Sequence, residues 1–254
     1  PYGYELFGLY SPIQDSKKTA VIVHGIGMNH YRSVRYASIF RERGFSVLMI
    51  DLRNHGLSGG SDTSYGFYEK YDLKAWIDWV FERCGADCIV GTHGESMGAA
   101  TALQHAAIDP RLSFVVADCP YANAEDEFAY RLKVEYHLPK FPLLTVADLI
   151  TKWRTGFAFG DAAPIKVIAN VDVPVFFIHG EEDDYIPPEA SIALYEAKQG
   201  KKKLYLVPGA GHAQAYPTNP EVYGQLVGEF LEEIACQSSS FDFVESNEDN
   251  WQDI

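Results

Sequence analysis

The stretch Gly94-Glu95-Ser96-Met97-Gly98 constrains this chain more than any other. An apolar run, Cys88 to Gly91, precedes it and an alanine-rich run, Ala99 to Ala107, follows it. The first reads as a short buried strand and the second as a helix. A serine between two glycines at such a junction is the strand–turn–helix context of a nucleophile elbow. The turn is so sharp that a Cβ at either glycine would collide with the neighbouring strand or helix. It lifts the Ser96 hydroxyl above the sheet edge. The helix that starts there aims free N–H groups and its positive dipole end at any negative charge forming beside that hydroxyl.

Other runs complete an alternation of strand and helix. Thr19 to Val23, Phe45 to Ile50, Phe114 to Asp118, Val173 to Ile178 and Lys203 to Val207 are continuous apolar or β-branched segments, as buried parallel strands show. Tyr4 to Tyr10 has strand-like composition. Helices are predicted over about Arg32 to Arg43, closed by Gly44, over Phe67 to Arg83, over Glu189 to Lys198, and over Pro220 to Cys236. This order predicts a mostly parallel central sheet with helices on both faces. From about 122 to 170 no strand is predicted. Two helix-like pieces there, separated by Leu138-Pro139-Lys140-Phe141-Pro142 and rich in aromatics, form a candidate lid over the C-terminal edge of the sheet. Residues 1–236 therefore read as one domain, and 237–254 as an acidic, flexible tail.

Composition narrows the function. The 254 residues carry a formal net charge of −14, so no basic face exists to neutralise phosphates, and nucleic acid is excluded as a partner. Part of that charge lies at the end of the chain, where Asp242, Glu245, Glu248, Asp249 and Asp253 occur without Lys or Arg. The one basic cluster, Lys198 to Lys203, reads as a solvated helix end. Cys84, Cys88, Cys119 and Cys236 are too scattered for a disulfide framework and lack zinc spacing, so they read as ordinary thiols, with no metal site. No G-x-G-x-x-G or G-x-x-x-x-G-K-[ST] follows the first buried strand, so no cofactor is expected. No apolar run reaches the length of a membrane span. A cytoplasmic location is expected. The alternative is an extracytoplasmic or anchored protein, through a segment removed ahead of Pro1.

A serine hydroxyl becomes a nucleophile when a base takes its proton and a carboxylate holds that base. Of eight histidines, His24 and His179 close strands and read as bonding the backbone of their turns. His55, His93 and His105 sit in a loop, on the approach to the turn and within a helix, and His30 and His137 in exposed polar surroundings. His212 lies in a loop after the last strand, and the chain order Ser…Asp…His singles it out as the base. The carboxylate comes from the acidic loop Glu181 to Asp184; spacing favours Asp183, with Asp184 as the alternative. A tetrahedral oxyanion needs two N–H donors. Met97 supplies one and the His24-Gly25-Ile26-Gly27 turn the other, from Ile26, unless Gly27 is the turn residue alone.

Five motifs now stand in order: His24-Gly25-Ile26-Gly27, Asp51-Leu52-Arg53-Asn54-His55-Gly56-Leu57-Ser58, Gly94 to Gly98, His179-Gly180-x-x-Asp183-x-x-Ile186-Pro187, and Gly211-His212. Together, over about Tyr4 to Ile234, they resemble the α/β-hydrolase family, in particular its serine-hydrolase branch of bacterial esterases and serine-aminopeptidase-like proteins. The resemblance implies Ser96 as nucleophile, Asp183 as orienting acid and His212 as base. Asn54 departs from the pattern, since Gly or another small residue is frequent there, and the lid matches nothing assignable. The implied activity is that of a serine carboxylic-ester hydrolase acting on small-molecule esters with small to medium or aromatic acyl groups. A peptidase or amidase on the same residues, and a non-catalytic binding protein of the same fold, are the alternatives.

Overall fold

The computed structural model describes residues 3–245, with side chains as far as 235. Seven strands form one sheet in the order β1-β3-β2-β4-β5-β6-β7. They are β1 (Gly8–Ser11), β2 (Lys18–Val23), β3 (Ser46–Ile50), β4 (Ile89–Glu95), β5 (Phe114–Asp118), β6 (Val175–Gly180) and β7 (Lys202–Val207). Only the β1–β3 pair is antiparallel; every other pair is parallel. The first strand begins later than its aromatic composition suggested, because Glu5 and Phe7 pair with the loop after β3 rather than with the sheet.

Helices cover both faces, and the strand alternation dictates which side chains they meet. Val21, Val23, Leu48, Ile50, Val115, Ala117 and Phe177 point to one face. There they pack under α2 (Glu69–Cys84), α3 (Met97–Ala106) and α6 (Glu189–Ala197). Ala20, Ile22, Val47, Met49, Phe114, Val116, Phe176 and Ile178 point to the other, against Tyr36, Ile39 and Phe40 of α1 (His30–Arg41). Each large side chain so buried contributes about 1.5–3 kcal/mol relative to exposure. Tyr223, Val227 and Phe230 of the last long helix complete that second layer.

Register brings the strand ends to one edge. Val23 lies beside both Ile50 and Gly94, Glu95 beside Asp118, Asp118 beside Ile178, and Gly180 beside Val207. The loops that start at His24, Asp51, Ser96, Cys119 and Glu181 therefore open on the same side. In doubly wound sheets this is where ligands bind.

Between β5 and β6 the chain forms α4 (Ala124–Tyr136), α5 (Leu143–Thr155) and three one-turn 3-10 helices. Asn123 caps α4 by accepting from the Glu125 N–H, and its first turn carries Glu125, Asp126 and Glu127. In α5 only Leu144 is buried; Val146, Leu149, Ile150 and Trp153 form an exposed apolar face.

Four expectations are corrected. A short α7 (Ala215–Thr218) precedes the last helix, α8 (Pro220–Glu245), which passes the expected end at Cys236 because no Gly or Pro follows to stop it. The rest of the acidic tail, 246–254, lies outside the described residues, and so does any test of its flexibility. Cys84 and Cys88 are joined as a disulfide, their Cα atoms 6.0 Å apart across the end of α2. His30 is buried, because Asp51 Oδ1 accepts from both its backbone N–H (2.7 Å) and its ring Nδ1–H (2.9 Å). Lys198, expected in solvent, is buried at the end of α6. No described helix is long and apolar enough to cross a membrane.

Candidate active site

At the end of β4 the chain turns into α3 through Ser96, whose φ of 56° and ψ of −118° lie outside the ordinary regions for a side-chain-bearing residue. Such a conformation costs on the order of 1–3 kcal/mol and persists only where its surroundings enforce it. The enforcement is visible. The Ser96 N–H donates to Asp118 O at 2.8 Å, and the flanking glycines admit no side chain. A Cβ on Gly94 would stand 2.5 Å from the Ala99 nitrogen, and one on Gly98 2.6 Å from the His24 carbonyl oxygen.

The strained turn sends Ser96 Oγ toward His212, whose Nε2 lies 3.1 Å away. The other ring nitrogen, Nδ1, is 2.8 Å from Asp183 Oδ2. An ionised carboxylate can only accept, so Nδ1 carries the proton and Nε2 is left to accept from the serine hydroxyl. Asp183 is held in turn: its Oδ1 accepts from the N–H groups of Tyr185 (3.0 Å) and Ile186 (2.9 Å). Burial pushes the Asp183 carboxyl up, but hydrogen bonds from His179 and His212 and the Ile186 amide outweigh it. The group is held well below the usual carboxylate range. Asp184 is exposed, and its backbone carbonyl accepts from Arg131 Nη1 at 3.0 Å. Of the two carboxylates the loop offered, the one beside His212 is therefore Asp183.

The turn after β2 approaches the same serine. Gly25 sits so close that a Cβ there would lie 3.3 Å from Ser96 Cβ. His24 fixes this turn: its Nε2 accepts from the Leu52 N–H at 3.0 Å, so its Nδ1–H donates to Gly25 O at 2.7 Å. Burial lowers the His24 pKa to about 4, which keeps the ring neutral and able to play both parts. Among the described residues neither the Ile26 N–H nor the Met97 N–H has a hydrogen-bond partner. Both residues line the same cleft as Ser96.

That cleft holds ≈ 80 Å³ and is walled by Tyr65, Tyr121, Phe128 and Ile186 besides those residues. Ser96 itself is 5% exposed, so the cleft is its access route. Beneath it lies a polar cluster that sequence spacing did not reveal. Tyr36 Oη donates to Glu95 Oε2 at 2.5 Å, Tyr223 Oη donates to Asp118 Oδ2 at 3.1 Å, and Arg35 pairs with Glu95. His179, expected to bond the backbone of its turn, does more. It does bond Ile186 O at 2.9 Å, and the same Nε2 stands 3.2 Å from Asp183 Oδ2. The four-residue spacing between His179 and Asp183 was the available signal for that contact.

Among the described residues, Cys119, Asp183 and His212 are the one group with three metal-ligating atoms within 4.8 Å of one another. Burial first, and then the charges of Asp118 and Asp183, push the Cys119 thiol well above its ordinary range. A protonated thiol is a poor ligand, and the other two residues already hold each other.

Known proteins share this arrangement of strands. The chain is 42% identical over 235 residues to the uncharacterized protein YqkD of Bacillus subtilis (strain 168), covering 92% of this chain and 77% of that one. It is 26% identical over 216 residues to human Protein ABHD12B, covering 79% of this chain and 57% of that one. Among solved structures, the Pyrococcus furiosus esterase Pf2001 superposes with a TM-score of 0.71 at 24% identity, over 91% of this chain and 93% of that one. Est1E from Butyrivibrio proteoclasticus, solved with ferulic acid bound, superposes with a TM-score of 0.68 at 19% identity, over 92% and 97%. At such identities the structural likenesses speak to the fold. Residues 20–225, from the first buried strand into the last helix, match the profile of the alpha/beta hydrolase family, and the chain is a member of that family.

Proposed function

We propose that this protein is a serine carboxylic-ester hydrolase. The observation that carries the reading is the unbroken hydrogen-bond chain from Ser96 Oγ through His212 to Asp183, at 3.1 and 2.8 Å. In the proposed reaction Ser96 Oγ attacks the acyl carbon while His212 Nε2 takes its proton. The Ile26 and Met97 N–H groups stabilise the carbonyl oxygen as it becomes an oxyanion; one such donor is worth roughly 10²–10³ in rate. Collapse breaks the ester bond, and the alcohol leaves with the proton from His212 Nε2. Water then adds to the acyl-enzyme by the same route, releasing the acid and restoring the Ser96 hydroxyl. Asp183 stays ionised and stabilises the imidazolium throughout.

The segment 122–170 acts in this reading as a lid, since Ala124, Glu127, Phe128 and Arg131 of α4 close one side of the cleft. A cleft of ≈ 80 Å³ is far below the roughly 300 Å³ at which drug-sized pockets begin, which favours a short acyl group. The surrounding negative charge disfavours anionic acyl groups.

The test is hydrolysis of p-nitrophenyl esters from acetate to decanoate, with Ser96→Ala as control. Turnover with a short-chain optimum, abolished in the variant, is the expected result. A folded protein that hydrolyses no ester, and whose Ser96 resists a fluorophosphonate probe, would instead be a binding protein of this fold.

A further inference from the structure

One acidic group in the cleft has no task in the reaction above. Glu127, in the first turn of α4, lines the cleft together with Ser96 and Met97. Its Oε1 is buried and has no hydrogen-bond partner among the described residues. An unpaired carboxylate oxygen in such a place is costly, and native proteins keep few of them.

The obvious partner is turned to other groups. Arg131 stands at i+4, the spacing at which a Glu-to-Arg pair closes on a helix. Instead its Nη2 pairs with Glu135, its Nη1 donates to Asp184 O at 3.0 Å, and the guanidinium lies over the Tyr185 ring at 4.1 Å; its Nε, buried like Glu127 Oε1, makes no hydrogen bond to that oxygen. Glu127 also sits at a helix N-terminus, where a carboxylate is normally favoured. Burial and the nearby Asp183 charge overcome that end effect and the attraction of Arg131, and push its pKa up to about 7. Of the other lining residues, Phe128 and Ala124 carry no side-chain donor, and Tyr121 Oη donates to Tyr65 O at 2.5 Å.

The side of the ester that reaches Glu127 follows from the chemistry. His212 delivers the proton to the departing alcohol, so the alcohol lies on its side of Ser96. The residues holding the oxyanion donors, Ile26 and Met97, line the cleft, whereas His212 does not. The cleft therefore receives the acyl chain. We propose that Glu127 is a specificity-determining residue, whose free oxygen receives a hydrogen-bond-donating substituent, a hydroxyl or an ammonium, on the substrate's acyl chain. This inference rests on the hydrolase reading above and narrows its substrate class to short acyl groups with a polar donor near the carbonyl.

The experiment compares p-nitrophenyl esters of 3-methylbutyrate, 3-hydroxybutyrate and 3-aminobutyrate, which differ only in CH₃, OH or NH₃⁺ at one carbon. Wild-type kcat/KM for the hydroxy or the amino ester is expected to exceed that for the methyl ester by roughly 10- to 100-fold, the range of a hydrogen bond to a charged group. Whichever of the two is preferred identifies the donor. In Glu127→Leu the preference disappears: kcat/KM for the hydroxy and amino esters falls to or below that for the 3-methyl ester. Glu127→Gln, which keeps an acceptor oxygen without the charge, retains preference for the hydroxyl and loses preference for the ammonium. A wild type that favours the 3-methyl ester, or a donor preference that survives in Glu127→Leu, overturns the proposal while leaving the hydrolase reading intact. Silence of the wild type on all three esters counts against the hydrolase reading and removes this inference with it.

Discussion

His179 Nε2 lies 3.2 Å from Asp183 Oδ2, the same oxygen that accepts from His212 Nδ1 at 2.8 Å. Ser191 Oγ stands 2.6 Å from the opposite nitrogen of His179. The Ser191 hydroxyl can donate there, so Nε2 carries the proton and faces both Asp183 and the Ile186 carbonyl. A buried histidine at the end of β6 thus orients the carboxylate that orients His212. His179→Asn is expected to lower kcat/KM by about 10- to 100-fold, as a misplacement of about 1 Å does. A change in kcat with KM unchanged separates positioning from substrate binding, and an unaltered kcat would contradict it.

Asp183 and Asp184 offer a paired comparison. Asp183→Asn should reduce kcat roughly 10⁴-fold, since an amide favours the wrong tautomer of His212. Asp184→Asn, which changes an exposed side chain and leaves its carbonyl in place, should stay within about twofold of wild type. Steady-state kinetics of the two variants check both statements, and equal losses would remove Asp183 from its proposed role.

Two glycines should respond differently to one added methyl. A Cβ on Gly94 would stand 2.5 Å from backbone atoms of Ala99, which cannot swing aside. Gly94→Ala is expected to cost about 3 kcal/mol or more. Gly27 has φ of +69° but open space around its missing Cβ. Gly27→Ala should cost only the backbone term, about 1 kcal/mol. Denaturant titration distinguishes them, and similar midpoints would show the turn at Ser96 to be more pliant than its contacts indicate.

Acid should destabilise the fold through buried histidines. Burial pushes the His93 pKa down to about 3 and that of His24 to about 4, against 6.5 for an ordinary histidine. Below pH 6.5 the unfolded chain binds protons at these sites and the folded chain does not. Stability therefore falls as pH drops from about 6.5 toward 4. Ring titration by NMR would show both histidines neutral at pH 5; protonation of either near pH 6 in the folded protein would contradict this.

Glu127 should act with the opposite dependence. Its folded pKa of about 7 exceeds the ordinary 4.5, because burial and Asp183 disfavour the charge more than Arg131 favours it. Between those values the folded state holds the proton and the unfolded chain releases it, so this site destabilises progressively as pH rises. Glu127→Gln should raise Tm more at pH 8 than at pH 5. An equal effect at both would mean that the carboxyl titrates normally.

Local pattern accounts for the alternation of strands and helices, the strand–turn–helix at Ser96, the order Ser…Asp…His and the helical segment between β5 and β6. Each of these is written in local pattern: runs of β-branched residues, two glycines that only a close backbone approach requires, and loops of defined length. It also narrowed the acidic loop to Asp183 or Asp184. Tertiary structure decided what depends on meetings between distant segments. It turned His179 onto Asp183, buried His30 against Asp51, and gathered Tyr36, Glu95, Asp118 and Tyr223 beneath the turn. It also left the Glu127 oxygen without a partner in the cleft, with the Arg131 Nη atoms engaged elsewhere and its buried Nε making no hydrogen bond to that oxygen. Hydrophobic periodicity reports which face of an element is buried. It carries no record of which polar group meets which once those faces close, and the chemistry of this site resides in such meetings.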